Sequence, residues 1–294
     1  MGLFFSADRF TRPGPGVRPD APRKKGVARL AEIMGRDMWN FFRAGFLAFL
    51  GCLPFIIGMF FAVETHALLF MLLAGIIGGL IAGPELSAMA DTVLRSLRDE
   101  PGYWWETYRR VWKRNARESL VPGMLTGLVL SMQIFTLFHM SVISAGIVTW
   151  VLLILSFVIT LGLESYIWPQ IALLDLPLYG ILKNSLLLFL GYLPRSLGAI
   201  AIKAVYWGAI LLFFPLTTII LPFTNFWLPM LPALLCIYQP LNKCFTIEST
   251  INKMREDELN AALAKDNEPL PEAPTEKAEE STEASSDDSS SDVQ

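Results

Sequence analysis

Glu164 lies inside an apolar run, LSFVITLGLESYIWPQIALL, with Ser165 and Tyr166 after it and Pro169 about one turn further on. An ionised carboxylate in hydrocarbon costs about 2.5–3.5 kcal/mol on insertion scales, so it needs a partner or a wet cavity. It is therefore a candidate for a substrate or proton path, or an acid at the cytoplasmic interface. Glu85 follows Gly83–Pro84, a pair that breaks or bends a helix. That order predicts a first-turn acid, stabilised by the amides and dipole of the helix it opens. His66 and His139, with Glu64, suggest a small metal site or separate interfacial residues; a third ligand is not secured. Arg109, Arg110, Lys113 and Arg114 lie in YWWETYRRVWKRN among tryptophans and tyrosines, a mixture that suits headgroup phosphates or a docking surface. Gln133, Gln170, Asn184 and Lys203 complete the polar points within or beside apolar runs.

Catalytic signatures are absent from the chain. HExxH, GxSxG, the Walker loop and GxGxxG do not occur, so the reading is non-enzymatic, with no cofactor and no metal. Cys52, Cys236 and Cys244 show no CxxC spacing and behave as small hydrophobes where they fall in apolar spans.

What must position these groups follows from the charge map. All 24 lysines and arginines fall in four stretches, 1–43, 95–117, 183–203 and 243–277, and apolar runs fill the gaps. Cytoplasmic loops retain positive charge during insertion, so the pattern predicts a multi-pass bacterial plasma-membrane protein with both termini cytoplasmic. The charged fraction is 17%, against about 25% in soluble domains. No basic patch lies outside the loops flanking the spans, which excludes a nucleic-acid reading.

The expected fold is all-α: a polytopic transmembrane bundle of about six spans with cytoplasmic amphipathic helices. Residues 1–26 read as an extended cytoplasmic arm, 27–258 as the helical membrane domain, and 265–294 as a disordered acidic tail. Spans are expected at about 41–63, 67–82, 120–140, 144–169, 197–221 and 226–241. Residues 27–40 form an interfacial helix feeding the first span, and Gly75, Gly78, Gly79 and Gly83 make the second a close-packing helix. Asp99–Gly102 makes a turn, 103–119 an interfacial helix, and 170–195 a second cytoplasmic amphipathic element. Lys203 is expected to snorkel back to the interface from the fifth span.

The chain resembles the YesL family of bacterial integral membrane proteins over nearly its whole length to about residue 258. The matching pieces are MGLFF with RPGPGVRPDAPRKKG, CLPFIIG, AGPELSAMADTVLRSLRDEPGYWWETYRRVWKRNARES, YIWPQIALLDLPLYGILKNSLLLFLGYLPRSL and LNKCFTIESTINK. The resemblance implies a membrane accessory to carbohydrate uptake or its control, with sugar ABC-transporter subunits as partners, and it brings no catalytic residues. The competing reading is an autonomous small-solute transporter or channel acting as a homo-oligomer.

Overall fold

The structure is a computed structural model, and the residues it describes are 23–100, 102–140 and 146–266. The arm expected over 1–26 and the tail expected over 265–294 fall almost wholly outside them. Among the described residues every regular element is a helix, as an all-α bundle requires. Helix α1 spans Gly26–Thr65, and α2 Leu68–Arg98 includes a π turn at Ala74–Gly78. Next come α3 (Trp104–Phe138), α4 (Ile147–Leu173), α5 (Leu178–Gly191) and α6 (Leu193–Leu212). A short turn of helix at Leu221–Thr224 leads into α7 (Trp227–Phe245), and α8 follows at Ile247–Asp266. Six of these helical segments are long and apolar enough to cross a bilayer, which makes the chain a multi-pass membrane protein. By its contacts the chain divides into two units, Met1–Glu248 and Ser249–Gln294; the described part of the second is helical.

Helix α2 is the centre of the first unit. From Ser87 to Leu94 every residue is buried, so the helix has no solvent or lipid face there. Small residues spaced by four explain how close its neighbours come. Gly75, Gly79 and Gly83 face Ser131, Gly127, Gly123 and Ser119 of antiparallel α3. A Cβ on Gly127 would lie 2.5 Å from the Gly75 carbonyl oxygen, and one on Gly79 would strike the Gly123 carbonyl. Only glycine permits that backbone-to-backbone contact. On its other side α2 meets α1, with Gly58 against Ala74 and Gly51 against Glu85.

Polar side chains join the remaining helices, as hydrogen bonds between apolar helices must replace the hydrophobic drive. Gln133 of α3 donates to Ser156 and Thr160 of α4 at 2.6 and 2.8 Å. Gln170 of α4 donates to Ser185 of α5 at 2.8 Å, and Tyr166 pairs with Ser196 of α6 at the same distance. Helix α7 packs on the first half of α1, where Phe41 stacks on Trp227, and just outside these two helices Arg23 meets Glu248 at the start of α8.

Two expectations change here. The chain does not break at Gly83–Pro84; α2 runs through to Arg98, because Pro84 sits on a helix already locked between two neighbours. Glu85 is therefore a mid-helix residue and not a first-turn acid. The fourth span runs on to Leu173, so the amphipathic element expected over 170–195 resolves into the end of α4, an extended link and α5.

Candidate functional site

The first turn of α1, the last of α2, the first of α3 and the end of α7 gather at one end of the bundle, here the basic end. Asp99 caps α2 in the left-handed conformation (φ 59°), which ends the helix and turns its carboxylate toward α1. Three arginines converge on it: Arg23 through Nε at 3.2 Å, Arg29 through Nη2 at 2.5 Å, and Arg36. The same guanidiniums donate to the carbonyls that a helix C-terminus leaves open. Arg36 reaches Ser96 O at 2.8 Å, Arg29 reaches Leu97 O and Arg23 reaches Arg98 O, both at 3.1 Å. Cations on a helix C-terminus also complement its dipole. Burial alone would raise the Asp99 carboxyl, but the hydrogen bonds from Arg29 and Arg36 outweigh it and hold it below its ordinary value.

A cavity of about 290 Å³ opens beside this knot, between α1, the end of α2 and the start of α3. Arg36, Asn40, Arg95, Trp104, Thr107 and Tyr108 are among its walls. Arg43 lies against it, its guanidinium 4.9 Å from the Trp39 ring and 5.6 Å from the Trp104 ring, a cation held between two indoles.

The basic residues of α3 divide into two kinds. Arg109, Arg110 and Lys113 are exposed, Arg110 with a surface partner in Glu106 at 3.1 Å. Arg114 is a cross-link, donating to Ala172 O of α4 at 2.8 Å and to Asn115 at 3.0 Å. Asn115 in turn donates to Ser87 of α2 at 3.1 Å. Glu85 accepts from Tyr108 at 2.5 Å and from the Trp112 indole at 2.9 Å, so it fastens α2 to α3. It has no cation beside it among the described residues.

Glu164 stands apart from that end. It is half-buried, makes no hydrogen bond or ion pair among the described residues, and faces a void of about 10 Å³ shared with Lys203 of α6. Such a void holds about one water. Lys203 is only 7% exposed, so the expected snorkelling does not occur: its ammonium stays inside, across from Glu164.

His66 and His139 do meet, at the opposite end. Nδ1 of His139 lies 2.7 Å from Phe135 O, so it carries the proton and donates, leaving Nε2 to accept from His66 Nδ1 at 2.7 Å. Two nitrogens on one tetrahedral zinc stand roughly 3.3 Å apart, so this is a hydrogen bond and not a ligand pair. Glu64 is exposed, and among the described residues no group of three potential ligands forms. The three cysteines are free.

Sequence reading missed the Asp99 knot. Arg29 and Arg36 fall within the interfacial helix expected over 27–40, and Asp99 within the turn expected at Asp99–Gly102. The seven-residue spacing of the two arginines, two helical turns on one stripe, was the available signal. Compared with models of protein families, with characterised proteins and with solved structures, the chain finds no match in any of the three.

Proposed function

We propose that the protein is a non-enzymatic membrane scaffold whose basic end faces the cytoplasm and docks a partner of the carbohydrate-uptake machinery, such as subunits of a sugar ABC transporter. One observation carries the docking part: Arg109, Arg110 and Lys113 project unburied from a helix whose other side is fastened by Asn115, Arg114 and the Tyr108–Glu85 bond. A rigid element presenting unburied cations steers an acidic surface toward it. The carbohydrate part rests on the likeness to the YesL family. Orientation rests on the retention of basic loops in the cytoplasm.

The test is recovery of partners from native membranes in mild detergent. Replacing Arg109, Arg110 and Lys113 together by Gln, with Arg114 kept for its bond to α4, lowers the yield of co-purifying protein severalfold. Unchanged recovery from a well-inserted variant contradicts the docking surface.

A second reading is supported by the Glu164–Lys203 void. Two ionisable side chains without hydrogen bonds among the described residues, inside apolar helices, suit a transporter acting as an oligomer. On that reading Glu164→Gln abolishes solute flux in proteoliposomes, and undiminished flux removes Glu164 from any pathway.

A further inference from the structure

We infer that Arg43 is the phosphate-holding residue of a site for an anionic phospholipid headgroup, at the point where α1 enters the membrane. The inference goes beyond the docking surface, which lies on exposed residues of α3, and rests on a different helix and a different charge.

Arg29, Arg36 and Arg43 recur at seven-residue intervals, two helical turns apart, so they share one stripe of α1. The first two are committed to Asp99 and to the carbonyls that end α2. Arg43 is exposed and has neither an acidic partner nor a hydrogen-bond acceptor among the described residues. Its guanidinium is nevertheless held in place, 4.9 Å from the Trp39 ring and 5.6 Å from the Trp104 ring. Aromatic faces steady a cation without neutralising it, and the N–H fork is left for an acceptor. Two oxygens of a phosphate match that fork.

Position selects a lipid as the source of that phosphate. Arg43 is the last charged residue before the apolar run 44–63, which sets it at headgroup depth. Beyond it the same stripe continues as Phe46, Leu50 and Ile57, all exposed, a surface for an acyl chain directly below the guanidinium. Trp39, one turn before Arg43 and largely exposed, is an indole of the kind that settles at the membrane interface. A soluble phosphate gains nothing from the apolar surface. A zwitterionic headgroup carries its own ammonium beside its phosphate, whereas a singly anionic one takes the full counter-charge of Arg43.

The experiment uses the purified full chain in detergent, titrated with phosphatidylglycerol, with phosphatidylcholine and, as a soluble phosphate, with glycerol 3-phosphate. Native mass spectrometry reads the bound molecules, and thermal unfolding reads the stabilisation they give. Phosphatidylglycerol binds about tenfold more tightly than phosphatidylcholine and raises the unfolding temperature, and glycerol 3-phosphate does neither. Arg43→Gln erases the preference between the two lipids, a loss of about tenfold for one charge-assisted bond. Arg43→Lys, which keeps the charge and loses the fork, retains part of it. Arg110→Gln leaves it unchanged. The inference is overturned if the native chain does not discriminate between the two lipids, if glycerol 3-phosphate binds as tightly as phosphatidylglycerol, or if neither Arg43 variant weakens the preference. Partner recovery with the α3 variant is a separate readout, so the docking surface and the lipid site fail independently.

Discussion

Two groups of charges on this chain are handled in opposite ways. At the basic end, Asp99 takes three arginines, and those arginines also cover the last carbonyls of α2. Between α4 and α6, Glu164 and Lys203 share a void of about 10 Å³ without touching. The first arrangement resembles a closed electrical circuit: each member has its partners and holds α1 to the end of α2. The second leaves both groups with unmet demand inside apolar helices. Satisfied networks rigidify, while unsatisfied ionisable groups in a membrane protein mark sites of action.

The largest effect expected from breaking the contrast is at Asp99. Asp99→Asn keeps the shape and tolerates the left-handed backbone but removes the charge that three arginines share. Arg29, nearly buried, then keeps only Glu32 at 3.2 Å as a counter-charge, and stability in detergent falls by about 1.5–3 kcal/mol. Chemical unfolding of the two forms measures it. Proton dependence sharpens the assignment. The folded carboxyl is held below its ordinary value, so its contribution is complete above the unfolded value of about 3.9 and is lost as pH falls through the folded one. The gap between native chain and Asp99→Asn is therefore constant from pH 7 to about 5 and closes below about 4. A gap that widened on acidification would contradict the knot.

At the second region the effect is smaller and non-additive. Glu164→Gln and Lys203→Met each strand one charge, at about 1–3 kcal/mol, whereas the double variant recovers most of the loss. Additive single effects would show that the two groups do not sense each other. On α3 the contrast is smaller still. Arg114→Gln removes the bond to Ala172 O and costs about 1 kcal/mol, while Arg109→Gln, Arg110→Gln and Lys113→Gln stay within about 0.5 kcal/mol. Equal losses at all four positions would erase the distinction between cross-link and exposed row.

The helical membrane architecture was legible because apolar length and basic-loop placement are properties of contiguous sequence. Gly75, Gly79 and Gly83 announced a close-packing face for the same reason: their spacing by four is written along one helix. What sequence could not show was pairing across helices. Pro84 reads as a breaker until α1 and α3 are seen clamping α2 on both sides, and with the break went the reading of Glu85 as a first-turn acid. Arg114 is indistinguishable from Lys113 until Ala172 O is found 2.8 Å from it. Lys203 reads as a snorkelling residue because its helix alone offers no reason to face inward; Glu164 across the void supplies one. The cavity beside Asp99 is assembled from three helices and a turn, so no single segment carried its signature.

The central claim is that the exposed row on α3 is a docking surface, and site-specific photo-crosslinking tests it most directly. A photoreactive residue placed at 113, on that row, is compared in native membranes with one placed at 155, on the exposed apolar side of α4. The account predicts a discrete, reproducible protein adduct from 113 and only diffuse lipid adducts from 155. Diffuse lipid labelling from both positions would contradict it.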